Sequence, residues 1–357
     1  MRFAIRPVIS HIDVSGHSTP LDKALNLLSE VDASGNLRSA SERLDMSYRH
    51  AWNILTELDA LLGSSVVEMT RGRGSRLTDL GHKLVWAHKQ VEARLAPLLD
   101  SMASEIEAEL HAVVPHGKGA LRLFASHGYA VDALHKRLIR KDSELEINYR
   151  GSLDAVDALN RGACDIAGFH IPQGPLMAPV LAKYSKLFKP SFRLVCLATR
   201  GQGIMVAKGN PRQIWSIADL KKPDVRLVNR QENSGTRMLL ELLLEQAGID
   251  KRDVLGFESI EFTHAAVAAY IASHKADVGI GVEAAARQFN LDFVPLLTER
   301  YFLMFEDRML QDNRFPLILE TLESSEFKAE VSLLPGYAPS LTLELMKPGE
   351  AFARIDR

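Results

Sequence analysis

Residues 37–78 read LRSASERLDMSYRHAWNILTELDALLGSSVVEMTRGRGSRLT, and their pattern decides the fold of the N-terminal part. Residues 37–44 predict a short helix and Asp45-Met46-Ser47 a tight turn. Tyr48–Leu62 then predicts a longer helix, capped by Ser47 through a backbone N–H. Ala51, Trp52, Leu55, Leu58 and Leu62 recur at helical spacing and predict an inward stripe. Short helix, tight turn and longer helix form a helix-turn-helix, whose second helix can enter a DNA major groove. Its outward face would carry Ser47, Tyr48, Arg49, His50 and Asn53, which can bond phosphates and base edges. Val66–Met69 and Arg76–Thr78 predict two short strands around a glycine-rich tip, together a wing. Arg71, Arg73 and Arg76 lie there with no acid among them. Glycine lets the tip approach a DNA backbone, and arginine suits bidentate phosphate contact. A solvated hairpin loop is the plain alternative, but its position directly after a helix-turn-helix favours the wing.

Upstream, Leu21–Ser29 predicts a first helix with Pro20 at its start, and residues 1–10 (MRFAIRPVIS) a short strand. Downstream, residues 81–112 form one long helical pattern. Within it Leu84, Val91, Leu95, Leu98 and Met102 recur at sevens, fours and threes, the seam of a helix packed on a partner helix. Packing on its own domain is the alternative, and Pro97 predicts a kink. Pro115, Gly117 and Gly119 then mark a linker. The expected domains are 1–80 for DNA binding, 81–114 for a linker and dimerisation helix, and 119–357 for a two-lobed sensor. Lobe I would take about 119–198 and 300–357, and lobe II about 199–299.

The sensor expectation rests on alternation. LRLFAS, LEINYR and DIAGFHI predict strands separated by helices at Tyr129–Ile139 and Leu153–Arg161. VRLVNR, FESIEF and ADVGIG repeat the pattern around helices at Ser234–Ala247 and Ala265–Ser273. Two such sets predict two α/β lobes with a cleft between them, where ligands meet the carboxyl ends of parallel strands. Those ends carry Ser126-His127-Gly128, Arg150-Gly151-Ser152, Arg230, Ser234-Gly235-Thr236-Arg237 and Thr263-His264. Free N–H groups at helix starts favour an anion, although N-capping explains any single Ser or Thr. The ligand-binding candidates are therefore Ser126, His127, Gly128, Arg150, Ser152, Arg230, Ser234, Gly235, Thr236, Arg237, Thr263 and His264.

Bulk properties narrow the function. The chain has 357 residues, 46% hydrophobic and 25% charged, too many for one ordinary core. A net charge of −2 provides no global field toward nucleic acid, so DNA affinity must come from a local patch. Cys164 and Cys196 sit in apolar runs and read as buried strand thiols, not as a disulfide or metal site. No run approaches the roughly 18 apolar residues of a membrane span, and the N-terminus lacks a signal-peptide core. The expectation is a cytoplasmic protein with no membrane partner. HExxH, GxSxG, CxxC and phosphate-loop motifs are absent from the sequence. His264, Asp277 and Glu283 form the one candidate catalytic group, but Asp277 reads more simply as a turn acid before a buried strand. The expectation is not an enzyme, with no catalytic residues, no covalent cofactor and no metal site.

Two resemblances follow from these residues. Residues 34–85, with SYRHAW, the glycine-rich wing and LTDLG, resemble the DNA-binding half of the molybdate-responsive ModE-type regulators. LysR-type regulators share that general plan. The resemblance implies a homodimer reading a two-fold-symmetric operator, with a tetramer as the larger option. NRQENSGTRMLLELLLEQAGI (229–249), THAAVAAYIASHKADVGIGVEAAA (263–286) and LDFVPLLTERYFLMF (291–305) resemble the periplasmic-binding-protein-like superfamily. That resemblance implies crossings between lobes near Ala198–Gly203 and Glu299–Phe305. The expected fold is α/β, with an N-terminal winged helix-turn-helix, a linker helix and a two-lobed periplasmic-binding-protein-like domain. The expected function is a ligand-responsive bacterial transcription regulator whose partners are double-stranded operator DNA and a small anionic effector. Molybdate or tungstate is the favoured effector from the resemblance. A small organic carboxylate or a molybdopterin-like compound is the alternative, and an enzyme of the molybdenum-cofactor pathway is a more distant one.

Overall fold

The computed structural model describes residues 3–70, 74–113, 120–141, 143 and 145–353. The chain divides into two compact units, Arg6–Ala96, and Pro97–Arg357 together with Met1–Ile5.

In the first unit, strands β1 (Ser10–Ile12) and β2 (Ser18–Pro20) form an antiparallel hairpin. The N-terminal strand thus starts where residues 1–10 end, and Pro20 closes β2 without entering a helix. Helices α1 (Asp22–Ser34), α2 (Leu37–Arg43) and α3 (Tyr48–Leu62) follow. Asn36 caps α2 by accepting from the Arg38 N–H, and Ser47 caps α3 by accepting from that of His50. Leu25, Leu28, Val31, Leu37, Ala51, Leu55 and Leu58 make the core, with Val66 and Leu77. Trp52 departs from the expected stripe: it is 45% exposed, while Ile54 takes a buried place. Strands β3 (Val67–Thr70) and β4 (Gly74–Leu77) pair antiparallel. Gly74 has φ +88°, and a β-carbon there would stand 2.5 Å from the Gly35 carbonyl oxygen, so only glycine fits. Arg71 and Arg73, two of the expected wing residues, lie outside the described residues. Helix α4 (Asp79–Val113) begins in this unit and continues through position 97 into the second.

The second unit is built on one sheet. It comprises β5 (Leu121–Ala125), β6 (Leu145–Tyr149), β7 (Ile166–Pro172), β8 (Phe192–Val206), β9 (Leu227–Arg230), β10 (Ile260–Glu261), β11 (Val278–Val282), β12 (Asp292–Glu306) and β13 (Tyr337–Pro339). The strand order is β10-β9-β11-β8-β12-β7-β5-β6, with β13 also on β8. Pairing is parallel within each outer group, β6-β5-β7 and β10-β9-β11, as the alternation requires. The long strands β8 and β12 are antiparallel and run through both groups. Up to Arg200, β8 pairs with β13, and from Gln202 onward with β11, so the chain changes lobe there.

Helices α5 (Tyr129–Arg140), α6 (Ser152–Asn160) and α7 (Met177–Tyr184) belong to lobe I. Lobe II carries α8 (Gly235–Gln246), α9 (His264–Ala272) and α10 (Glu283–Gln288). After β12 the chain adds α11 (Pro316–Glu323), α12 (Ser325–Ser332) and α13 (Pro348–Ala353) to lobe I. The lobe cores are apolar and distinct: Leu123, Leu134, Ile147 and Phe305 pack in lobe I, and Ile204, Leu227, Leu244 and Ile280 in lobe II. Cys196 lies in β8, but Cys164 precedes β7 and is not in a strand; both thiols are free. Burial raises both, to about 12 for Cys164 and about 11 for Cys196, so neither is a ready nucleophile. Among the described residues, no helix is long and apolar enough to cross a membrane.

Candidate functional site

Between the two lobes lies a cleft enclosing about 250 Å³. Nine of the expected residues line it: Ser126, His127, Arg150, Ser152, Arg230, Ser234, Gly235, Thr236 and His264. Their positions follow from the sheet, because each ends a parallel strand or begins the helix after it. Three stand elsewhere. Gly128 backs onto Arg200, Tyr301 and Tyr337. Thr263 is spent on capping α9, accepting from the Ala266 N–H. Arg237 faces a neighbouring cavity, paired with Glu241 and Glu258 and lying over the Phe257 ring.

Lining residues that were not among the sequence candidates include Tyr149, His170, Arg200 and Phe262. Arg200 in β8 and Glu299 in β12 form a buried ion pair, their side chains 4% and 1% exposed. Gln202 donates to the same carboxylate at 3.1 Å and to the Thr236 hydroxyl at 3.1 Å. Burial pulls the Arg200 pKa down, but the Glu299 charge and hydrogen bonds outweigh it and leave the guanidinium raised.

Arg230, the last residue of β9, differs. It is buried, and its guanidinium donates only to neutral acceptors, the Gln231 amide oxygen and the Phe262 carbonyl. Glu261 is its register partner on β10, yet no ion pair joins Arg230 to a carboxylate among the described residues. Burial, and then repulsion from Arg200, bring its pKa down to about 9, so it remains charged at neutral pH. His170 and His264 are held well below the ordinary histidine value, first by burial and then by the two arginines, so both are neutral at pH 7. One uncompensated buried positive charge therefore faces the cleft. At the rim, exposed Arg150 lies over the Phe124 ring, near Asp154 and Glu232.

The helix starts add polarity of the same sign. Gly151 precedes α6 and supplies no side-chain cap, and Gly151 and Ser152 at this helix start line the cleft. At α8, Ser234 accepts from the Arg237 N–H, while Gly235 and Thr236 border the cleft. Ser126 Oγ lies buried beside the Tyr301 phenol and Ser152 Oγ beside that of Tyr184.

The catalytic group considered from sequence is not assembled. Asp277 pairs with Arg226 and Arg212, and Glu283 with Arg287. Among the described residues, no cluster of three or more His, Cys, Asp or Glu could hold a metal ion.

In the first unit, Tyr48, Arg49, His50, Asn53 and Ser47 are all exposed on one end and face of α3, and Arg76 is exposed on β4. Trp52 joins Tyr48 on that face one turn later, each 45% exposed.

Residues 134–323 match the PBP superfamily domain family. The chain belongs to the PBP superfamily. It is 31% identical over 258 residues to the uncharacterised protein YvgK of Bacillus subtilis (strain 168), covering 71% of this chain and 82% of that one. It is also 30% identical over 87 residues to the molybdenum-pterin-binding protein MopB of Rhodobacter capsulatus, covering 23% of this chain and 32% of MopB. Among solved structures it is similar to CbnR, a LysR family transcriptional regulator, with a TM-score of 0.37 and 16% identity. That match covers 84% of this chain and 98% of CbnR.

Proposed function

We propose that this protein is a ligand-responsive bacterial transcription regulator that senses a small anion in the inter-lobe cleft. The observation that carries the sensing half is Arg230, a buried cation with no carboxylate partner facing that cleft. A charge left so costs stability, and an anion bound beside it recovers that cost. The DNA-binding half is supported by α2 and α3 in a helix-turn-helix arrangement, with the polar face of α3 exposed. In this reading residues 1–80 bind operator DNA, 81–114 dimerise, and 119–357 sense. The protein works in the cytoplasm as a homodimer or a pair of dimers on double-stranded operators. Ligand matters because it binds one state of the cleft better than the other.

Among inorganic anions, molybdate or tungstate is supported by the ModE-like sequence of residues 34–85 and by the partial match to MopB, and the alternative is a small organic carboxylate or a molybdopterin-like compound. Two measurements test the whole. Selection of duplexes from a random pool should return a two-fold-symmetric site. A melting-temperature screen with molybdate, tungstate, sulfate, phosphate and carboxylates should reveal at least one stabilising anion, and Arg230→Gln should abolish that stabilisation. A screen in which no anion raises the midpoint refutes the sensing half, and an unselective pool refutes the other.

A further inference from the structure

The lobes already meet on both flanks of the cleft. A β-carbon at Gly151 of lobe I would stand 2.6 Å from the carbonyl oxygen of Asn233 in lobe II. On another side, the Tyr129 hydroxyl of lobe I donates to the Gln288 amide oxygen of lobe II at 2.7 Å. The enclosed volume of about 250 Å³ is therefore that of a cleft in lobe-to-lobe contact.

Two aromatic side chains also line this cleft. Tyr149 lies at the end of β6 with its ring stacked on His127, centroids 3.6 Å apart and planes 15° apart. Its hydroxyl donates to Asp132 at 3.0 Å, so the ring is held from two directions. From lobe II, Phe262 also lines the cleft, yet is 46% exposed, and its carbonyl is the acceptor that fixes Arg230. An apolar ring left half in solvent beside an unpaired guanidinium matches a ligand with an anionic head and a flat apolar body.

Resting on the anion-sensing reading above, we infer that the natural ligand is an organic anion bearing a planar ring. Its charged head lies at Arg230, and its ring lies against Phe262 and Tyr149. The head is a carboxylate or a phosphate ester, since the Arg230 fork accepts either.

Calorimetric titration of the full chain with tungstate, acetate, benzoate and pterin-6-carboxylate tests this. At least one ring-bearing probe should bind about tenfold or more tightly than acetate and tungstate. Phe262→Ala should weaken that probe roughly tenfold and leave acetate and tungstate unchanged. Phe262 is half exposed, so its loss leaves the fold intact. Tungstate binding as tightly as the ring-bearing probes overturns the inference. So does a Phe262→Ala variant that weakens all four alike, or binding of none of them. Arg230→Gln separates the two levels: if it leaves every probe unaffected, the anion site itself has been misplaced, whatever Phe262 does.

Discussion

Arg200 and Glu299 are register partners on β8 and β12, and Arg200 Nε and Nη2 each lie 2.8 Å from Glu299 Oε2. The pair stands where β8 changes its neighbour from β13 to β11, at the crossing between lobes. It borders the cleft, so the junction and the ligand site share a buried charge network.

Glu299→Gln would leave Arg200 uncompensated beside Arg230. Breaking a buried pair by removing one partner costs about 3–5 kcal/mol. Urea unfolding should show a loss of that size, while the double replacement Arg200→Met with Glu299→Leu should recover most of it. Equal losses in the single and double variants would mean the pair is held by packing and not by charge.

Arg230→Met should behave in the opposite sense. The folded-state pKa is lowered to about 9 from 12.5, so at pH 7 the folded chain carries a penalised charge. Removing it should raise the stability of the ligand-free protein by on the order of 1–3 kcal/mol at pH 7. The gain should shrink as pH rises from about 9 toward 12.5, where the wild-type side chain sheds its proton on folding. A destabilised Arg230→Met variant at pH 7 would contradict an unpaired arginine.

Acid should weaken the fold through His170 and His264. Both folded-state values lie well below 6.5, so below pH 6.5 the unfolded chain binds protons the folded chain refuses, and stability falls. The loss is up to about 1.4 kcal/mol per pH unit for each histidine. Asp132 opposes this, because burial raises it from 3.8 to about 6 and its folded form takes up a proton first. Below pH 6 the Asp132 proton cancels about one of the two histidine protons, which holds the net decline at about 1.4 kcal/mol per pH unit instead of twice that. His264→Gln should reduce the slope, and a pH-independent stability across pH 7 to 5 would exclude buried neutral histidines.

Gly151→Ala should push the lobes apart, because the added carbon meets the Asn233 carbonyl oxygen. Overpacking of this kind costs about 1–3 kcal/mol, here charged against closure. Ligand affinity should fall correspondingly, with the melting temperature of the ligand-free protein little changed. Undiminished affinity would show that the contact is not part of the bound state.

On the DNA side, Arg49→Ala or Asn53→Ala should each cost about 1–3 kcal/mol of operator affinity if the side chain reads a base. Replacing Arg71 and Arg73 together should flatten the salt dependence of binding. A salt slope equal to that of the parent would remove the wing from the interface.

Much of this was legible in local sequence. Helix α3 runs over the expected Tyr48–Leu62 because Ser47 caps it and its apolar residues keep a 3.6 period. The strand–helix alternation placed nine of twelve candidate residues around one cleft, since parallel strands bring all their carboxyl ends to one side of a sheet. Trp52 was misassigned because it neighbours Ala51 at the edge of the stripe, and only the fit against α1 and α2 decides which way that edge turns. Arg237 had a local clue in Glu241, its i+4 partner.

His170, Arg200 and Glu299 were missed for a different reason. They sit inside strands that read as buried apolar runs, and a charge within such a run shows only that a partner is needed. Arg200 and Glu299 are 99 positions apart, and only the antiparallel pairing of β8 with β12 brings them together. Periodicity, caps and turns act over a few residues, so the sequence alone determined the elements, their order and the side of the sheet that would carry a site. Which charges would be neutralised, and that Arg230 would be left without a carboxylate, was decided by contacts between distant strands in a low-dielectric interior.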